Sequence, residues 1–176
     1  SFPFGPDGAP GAGPLDQSPI EKGLLTFTGE KLAKDTEVTG PVKAVLYAAS
    51  SAVDTDWVVR VTDVGPDGKS ITVVDGIQRA RFRTSGTNPT LIVPGQIYEY
   101  EVDLWSTSYV FKKGHRIRVS VSSSSFPRWS RNMNVAEAPE YAKTHVVADN
   151  TIYVDAKHDT SHQSVLYHSL CNRPME

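Results

Sequence analysis

Few residues in this chain have the type and spacing that acyl-transfer chemistry requires. A nucleophilic serine or cysteine needs a base within hydrogen-bond reach, and the Gly-x-Ser-x-Gly turn that presents such a serine in one large fold is absent. The serine run Ser122 to Ser125 has no flanking glycine and ends a predicted strand, so its hydroxyls are expected to cap exposed backbone. Cys171, the single cysteine, lies in a polar tail and is a poor nucleophile candidate. The sequence therefore predicts no catalytic residue in this chain.

A histidine-rich segment near the end of the chain has residue types that bind metals. Its candidate ligands are His158, Asp159, His162 and His168. A His-x-x-x-His spacing would place two imidazoles on one face of a helix. However, the segment HDTSHQS is polar and typical of a turn, so a solvated loop is the better interpretation.

Three aspartates form a second candidate metal site. Asp54, Asp56 and Asp63 would supply carboxylate oxygens to calcium, which takes about six to eight oxygen ligands. Too few ligands are visible, and ordinary carboxylates at turns and strand ends are the favoured interpretation. The sequence predicts neither a metal site nor a cofactor.

Aromatic residues offer carbohydrate binding as a non-catalytic alternative. Sandwich-type lectin modules stack sugar rings on exposed aromatic side chains, and the candidates by residue type are Trp105, Tyr109 and Trp129. Trp57 and Trp105 lie at the ends of predicted strands, where packing in the core is the default expectation. Trp129 lies instead in the predicted loop FPRWSRNMN.

The charge balance argues against nucleic acid and membrane partners. The 176 residues include 18 Lys and Arg against 20 Asp and Glu, which leaves no basic field for a phosphate backbone. A mean hydropathy of −0.32, without a long apolar run, argues against a membrane span. A solvated hairpin face is the favoured interpretation of the basic set Lys112, Lys113, His115, Arg116, Arg118, Arg128 and Arg131.

Alternating apolar and polar residues predict an all-β fold. One core face is predicted over 40–50, from Val42 to Ala48. A hairpin is predicted over WVVRVTDV, in which Trp57, Val59 and Val61 share one side, the turn GPDGK and the return strand SITVVDGIQRARFR. Gly76 is expected to mark a bulge in that return strand. IYEYEVDLW carries an acidic face and HRIRVSVSS a basic face, which favours antiparallel neighbours. Many short strands without intervening helices predict two packed antiparallel sheets.

The first residues of the chain break this pattern. PFGPDGAPGAGP, at 3–14, is mostly Gly and Pro, so it cannot sustain a helix or an interior strand. Residues 1–19 are therefore expected to form either an ordered surface loop or a flexible linker.

Several blocks together resemble the C-terminal β-sandwich of X-Pro dipeptidyl-peptidases and cocaine-esterase-like serine hydrolases. The resemblance runs from about Leu15 to Leu166. Its two long blocks are SSAVDTDWVVRVTDVGPDGKSITVVDGIQRARFR and PGQIYEYEVDLWSTSYVFKKGHRIRVSVSSSSFPRWSRNMN. Shorter blocks are PLDQSP, TFTGEKLAKDTEVTGPVKAVLY and TIYVDAKHDTSHQSVL.

The resemblance implies a fold, a partner and a function. The fold is a jelly-roll sandwich of the galactose-binding-like type, here a single domain over 1–176 that lacks the strands found upstream of the Gly/Pro-rich stretch in the family. The partner is an α/β-hydrolase catalytic domain in the same or a separate chain. Catalytic Ser, Asp and His belong to that domain in the family, and none maps onto this chain.

These observations lead to one principal hypothesis and one alternative. The principal hypothesis is a non-catalytic domain, inactive by itself, that frames and stabilises the substrate cleft of a serine hydrolase acting on acyl ester or amide bonds. A polar and aromatic loop is more often functional than a strand face, so the predicted interface residues are Phe126, Trp129, Arg131, Asn132 and Asn134. The alternative is a free-standing carbohydrate-binding module of the jelly-roll type.

Overall fold

The computed structural model describes residues 15–138 and 141–154, and this part of the chain is all-β, as predicted. Its strands are β1 (Leu25–Thr28), β2 (Thr36–Ser50), β3 (Asp56–Val64), β4 (Ser70–Arg79), β5 (Tyr98–Phe111), β6 (Arg116–Ser122) and β7 (Asn150–Ile152). Two short 3-10 turns cover Glu21–Gly23 and Ala80–Phe82. None of the described segments forms a helix long and apolar enough to cross a membrane.

The strands form two antiparallel sheets, which confirms the predicted sandwich class. The first sheet has the order β1-β6-β3-β4, and the second sheet has the order β5-β2-β7. The hairpin of β3 and β4 closes through the predicted GPDGK turn, in which Gly68 has a φ of 83°, a value that glycine adopts without strain. The jelly-roll and galactose-binding-like assignments stay predictions.

Alternate residues of β2 and β3 meet between the sheets, because successive side chains of a strand point to opposite faces. Both predicted core faces are confirmed, and their buried residues are Val42, Ala44, Leu46, Ala48, Trp57, Val59 and Val61. The Trp57 ring centroid lies 5.5 Å from that of Tyr100 on β5, so this aromatic pair joins the two sheets. Full burial of each large apolar side chain contributes about 1.5–3 kcal/mol, which makes this core the main source of stability.

The start of the described chain adds to the outer edge of β4. Asp16 pairs with Ile71 in an antiparallel bridge. The Gln17 N–H donates to the Ser70 carbonyl at 2.7 Å, and the Thr72 N–H donates to the Leu15 carbonyl at 3.1 Å. Residues 15–17 of the predicted Gly/Pro-rich loop are thus paired with a strand, while 1–14 lie outside the described residues.

The predicted extension of the return strand to Arg83 is wrong, because β4 ends at Arg79. Beyond that point the backbone bonds to the β2–β3 loop instead of to β3. The Ala80 N–H donates to the Thr55 carbonyl at 2.9 Å, and the Arg81 N–H donates to Asp54 Oδ1 at 2.9 Å. These bonds turn the chain into the 3-10 segment and bury Arg81.

Gly76 does not mark a bulge, which corrects a second expectation. It pairs regularly with Val59, and the irregular register of this hairpin lies between Val61 and Thr62. Its role is a close approach between the edges of the two sheets. A Cβ atom built on Gly76 would lie 1.9 Å from the carbonyl oxygen of Asp103 on β5, so only glycine fits there.

The predicted pairing of β5 with β6 is also wrong, because the two strands belong to different sheets. The β5–β6 turn carries the chain from one sheet to the other. The acidic face of β5 finds its partners on β2, where Lys43 Nζ lies 2.6 Å from Glu101 Oε1 and the Tyr47 hydroxyl donates to Glu99 at 2.5 Å. The acidic face of β5 therefore does meet a complementary strand, but that strand is β2 and not β6.

Candidate functional site

Three connections gather at one end of the sandwich, which we call the loop end. They are the β2–β3 loop at 51–55, the β4–β5 connection at 80–97 and the β6–β7 connection, whose described parts are 123–138 and 141–149. Hydrogen bonds join them directly. The Ile92 N–H donates to the Val53 carbonyl at 3.0 Å, and the Ser51 N–H donates to the Asp149 carbonyl at 3.0 Å.

A buried ion pair between Asp54 and Arg81 lies at the centre of the loop end. Arg81 Nε donates to Asp54 Oδ2 at 2.7 Å, and both side chains are shielded from solvent. The same guanidinium donates to the carbonyl oxygens of Val135, Ala136 and Glu137 at 2.6–3.3 Å. A single guanidinium thus binds the Asp54 side chain of one loop and the main-chain carbonyl groups of another.

A second ion pair lies beside the first. Arg79 binds Asp56 through two parallel bonds, from Nε at 2.8 Å and from Nη2 at 3.0 Å, a bidentate geometry that is stronger than a single contact. Asn132 bridges the two pairs, because its Nδ2 atom lies 2.8 Å from Asp54 Oδ2 and 2.8 Å from Asp56 Oδ1. We call Asp54, Asp56, Arg79, Arg81 and Asn132 the polar network.

The predicted interface loop divides into residues that hold the loop and residues that it displays. Asn132 Oδ1 accepts the Asn134 N–H at 2.9 Å, and the Asn134 side chain donates to the Val146 carbonyl at 2.8 Å. The displayed side chains are arranged by cation–π contacts. The Arg131 guanidinium lies 4.6 Å from the centre of the exposed Phe126 ring, and that of Arg128 lies 4.8 Å from the half-buried Trp129 ring.

The loop end also displays apolar side chains. Among the described residues, six of the nine exposed large hydrophobic side chains belong to its loops, namely Leu91, Val93, Phe126, Tyr141, Val146 and Val147. Val147 is 82% exposed. Scattered exposed hydrophobics need no explanation, but their concentration on one surface is typical of an interaction site.

A groove of about 560 Å³ opens along the side of the sandwich, between the edges of β4 and β5. Its lining comprises Thr72–Asp75 of β4, Leu104, Trp105 and Tyr109 of β5, and Arg128 from the loop end. Two of the predicted sugar-stacking residues, Trp105 and Tyr109, therefore line one groove. Trp129 is not among its lining residues.

Trp105 is 71% exposed, so the expectation that it packs in the core is wrong, whereas Trp57 is buried as expected. The reason is a bulge between β2 and β5. Between the Pro41–Ser106 and Lys43–Asp103 pairs, β2 contributes one residue and β5 contributes two. Trp105 takes the extra position with a φ of 69°, and its backbone N–H donates to Asp103 Oδ1 at 2.8 Å. A bulge of this kind re-aims a side chain away from the regular alternation.

The three aspartates considered as a calcium site are not brought together. Asp54 and Asp56 lie in the polar network, whereas Asp63 lies near the other end of β3. Its carboxylate accepts the Tyr109 hydroxyl at 2.9 Å and lies 2.9 Å from His115 Nδ1. Burial, followed by the bond to Asp63, raises the pKa of Tyr109 to about 12. Among the described residues no group of three or more His, Cys, Asp or Glu side chains could hold a metal ion, and the segment from His158 to His168 lies outside them.

Sequence reasoning missed Arg79 and Arg81, although the sequence contains a signal for them. The hairpin places Asp56 opposite Arg79. Two residues further out, Asp54 and Arg81 meet at the end of the same hairpin. Opposite charges that repeat at a spacing of two on paired strands indicate cross-strand ion pairs.

The fold and the loop end together define a class: an antiparallel β-sandwich whose loop end combines an internally paired charge network with exposed apolar side chains. A family model described as the X-Pro dipeptidyl-peptidase C-terminal non-catalytic domain matches residues 11–162. The chain belongs to this family of non-catalytic domains, which confirms the resemblance found in the sequence.

Individual relatives agree with this membership. The cocaine esterase of Rhodococcus sp. (strain MB1 Bresler) is 46% identical over 150 residues, which cover 83% of this chain and 26% of the esterase. An α-amino acid ester hydrolase structure has a TM-score of 0.78 and 29% identity, covering 81% of this chain and 26% of the hydrolase. The aminopeptidase of a marine sediment Thaumarchaeota archaeon has a TM-score of 0.72, with the same identity and coverage. The chain thus spans about a quarter of the length of these relatives.

Proposed function

We propose that this chain is the accessory domain of a serine hydrolase that cleaves acyl ester or amide bonds. Its loop end packs against an α/β-hydrolase catalytic domain and frames the substrate cleft. The catalytic Ser, His and Asp belong to that partner domain, and this chain contributes stability and one wall of the cleft. The similarity to three hydrolases, each about four times as long as the matched segment, supports this proposal.

The observation that most supports packing through the loop end is the concentration of exposed apolar side chains there. Burial of such side chains at an interface removes apolar area from water, at about 25 cal/mol per Å². Interfaces also favour aromatic residues and arginine, and the loop end displays Phe126, Tyr141 and Arg131. Neither strand face of the described sandwich exposes a comparable set.

The polar network suits this role because it fixes the loops before any partner binds. Flexible loops lose conformational freedom when they form an interface, and a preorganised surface avoids part of that cost. Asp54 and Arg81 are buried and bonded to each other, and Asn132 is bonded to both network carboxylates. In this proposal Asn132 and Asn134 position the interface loop, while Phe126, Trp129 and Arg131 contact the partner.

A chimeric enzyme tests the proposal. The 150-residue segment of the Rhodococcus cocaine esterase that matches this chain is replaced by this chain, and esterase activity and melting temperature are measured. We expect the chimera to hydrolyse ester substrate and the chain alone to have no such activity. Turnover of an acyl substrate by the purified chain alone would refute the proposal.

Two matched variants locate the interface within the chimera. Val147→Asp introduces a charge at an exposed apolar position of the loop end. Thr28→Asp introduces the same charge at an exposed position of β1, where Thr28 pairs with Arg118, away from the end of β6 at which the loop end begins. We expect Val147→Asp to lower the melting temperature of the chimera by at least about 3 °C and to leave that of the isolated chain unchanged. Thr28→Asp should change both proteins equally. An equal response of both proteins to Val147→Asp would contradict packing through the loop end.

Carbohydrate binding is the second candidate, and the exposed indole of Trp105 is the observation that favours it. The polar groups near Trp105 favour it less, because they already have partners. The Tyr109 hydroxyl is bonded to Asp63, and Asp75 contacts both Arg60 and Arg128. Affinity electrophoresis of the isolated chain in polysaccharide gels, compared with Trp105→Gly, separates this candidate from the first.

A further inference from the structure

The groove between β4 and β5 exists because the edges of the two sheets diverge there. At Gly76 the strands approach so closely that a Cβ atom would collide with the Asp103 carbonyl. Beyond this contact the edges separate, and the space between Thr72–Asp75 and Leu104–Tyr109 is the groove. Its accessible apolar lining comes from Val73, Val74 and the Trp105 indole, and Leu104 beneath them is fully buried. An open groove of this size, whose lining also includes Thr72, Asp75 and Arg128, is a site that another polypeptide segment can fill with both apolar and polar groups.

Trp105 stands at the rim of this groove in a backbone conformation that costs energy. A φ of 69° is a genuine outlier for a bulky residue, and such strain is typically retained where function requires the geometry. The hydrogen bond from the Trp105 N–H to Asp103 stabilises this conformation. This backbone conformation directs the large Trp105 indole into solvent, so the indole gains no stabilisation from burial within this chain. Tryptophan is also enriched among the residues that dominate binding energies at interfaces.

Arg128 connects the groove to the loop end. It belongs to the segment that carries Phe126 and Trp129, and its side chain lines the groove. The Arg128 Nη2 atom lies 2.9 Å from Asp75 Oδ1, yet half of the side chain remains exposed. Arginine carries five N–H donors, so this guanidinium can bind an acceptor oxygen in addition to Asp75. The groove is therefore continuous with the surface proposed to contact the catalytic domain.

We infer that the groove is a second contact surface for the same catalytic domain. It receives a segment of that domain in which an apolar side chain packs between Val73 and the exposed indole of Trp105. A neighbouring carboxylate or carbonyl oxygen of the segment binds Arg128. This inference rests on the proposed function and extends the interface from the loop end along the β4–β5 edge.

Amide hydrogen exchange in the isolated chain and in the cocaine esterase chimera tests this inference. We expect exchange in the segments 72–75 and 104–109 to be at least about fivefold slower in the chimera. Protection of 91–93 and 146–147 without protection of the groove would overturn the inference while leaving the proposed function standing. Protection at neither surface would overturn both.

Trp105→Gly provides an independent readout with opposite signs in the two proteins. Glycine accepts a positive φ without strain, so we expect the isolated chain to keep or raise its melting temperature. The chimera should lose at least about 3 °C, because the indole no longer contacts the catalytic domain. Leu25→Ala, at the opposite edge of the first sheet, is the control and should affect both proteins equally. A Trp105→Gly chimera that is as stable as its parent would overturn the inference.

Two further measurements distinguish other occupants of the groove. Neutral oligosaccharides are titrated into the isolated chain while tryptophan fluorescence is recorded, and we expect no change. Quenching that disappears in Trp105→Gly would assign the groove to a sugar and overturn the inference.

The isolated chain is also compared with a variant that begins at Leu15, and equal amide hydrogen exchange at 72–75 and 104–109 is expected. Faster exchange in the shortened variant would assign the groove to residues 1–14 and overturn the inference equally.

Discussion

Arg81 and Asp54 form a buried ion pair in which Nε and Oδ2 are 2.7 Å apart, and this pair links all three loops of the loop end. Asp54 belongs to the β2–β3 loop and Arg81 to the β4–β5 connection. The arginine also donates to three consecutive carbonyl groups of the β6–β7 connection. Removing one partner of a buried pair leaves the other charge without compensation. The pair therefore determines the stability and the geometry of the loop end together.

Arg81→Met is expected to lower the free energy of unfolding by about 3–5 kcal/mol, because it leaves the Asp54 carboxylate buried beside a neutral side chain. Urea denaturation of the isolated chain measures this loss. Lys43→Met is the matched control, since Lys43 and Glu101 form an ion pair at 2.6 Å on the exposed face of the second sheet. Solvent screens an exposed pair, so the control should change little. Similar losses in both variants would show that burial does not govern the effect.

Asn132→Asp tests whether the amide group is the element that joins the two ion pairs. The substitution keeps the size of the side chain but replaces a donor that lies 2.8 Å from both Asp54 and Asp56 with a third carboxylate. We expect a loss of about 1.5–3 kcal/mol at pH 7, the magnitude of a hydrogen bond to a charged group. Like-charge repulsion should make this variant less stable than Asn132→Ala.

Acidification provides the control for Asn132→Asp. Protonation of the introduced carboxyl group restores a hydrogen-bond donor and removes the repulsion, so the two variants should approach each other in stability as the pH falls from 7 towards 4. Denaturation curves at several pH values measure this difference. A difference that does not depend on pH would mean that charge is not the cause.

The sequence predicted the residues that face the core and missed the arrangement of the sheets. The faces of β2 and β3 follow from a period of two, which a single strand displays by itself. The partner of β5 does not follow from its own pattern, since both β2 and β6 carry cations that could pair with Glu101. The turn between β5 and β6 crosses from one sheet to the other, and no local feature of its residues distinguishes this turn from a hairpin.

The candidate site was predictable in its position and not in its construction. The polar and aromatic composition of the loop from Phe126 to Asn134 indicates an interface, and this loop lies at the loop end, while its role as an interface stays a prediction. Charged residues are normally exposed, so alternation in β4 gave no reason to expect Arg81 to be buried. The exposure of Trp105 depends on a bulge and on a positive φ, which only the paired strands impose.

Gly76→Ala is expected to destabilise the fold at the contact between the two sheet edges. The added Cβ atom would lie 1.9 Å from the Asp103 oxygen and 2.9 Å from the Asp103 carbonyl carbon. Both are backbone atoms, so no side-chain rotation relieves the collision, and the strands must separate. Overpacking of this kind costs about 1–3 kcal/mol, which urea denaturation would detect. Gly23→Ala is the control, because nothing lies within 4 Å of a Cβ atom there. A Gly76→Ala chain as stable as the control would contradict the close approach of the edges.

Tyr109 should make the stability of the chain decrease at alkaline pH. Its hydroxyl on β5 donates to Asp63 on β3, so the bond connects the two sheets and exists only while the phenol is protonated. Burial and this bond raise the pKa of Tyr109 from 10.0 to about 12, which means that the folded state holds the proton more tightly than the unfolded state. The resulting stabilisation is complete below pH 10 and is lost as the pH rises through about 12.

Tyr109→Phe lacks this contribution, so the difference in unfolding free energy between wild type and variant should shrink over that interval. Urea denaturation between pH 9 and 12, with phenolate absorbance recorded in parallel, measures it. A difference that stays constant over the whole interval would show that the Tyr109 proton does not stabilise the contact between the sheets.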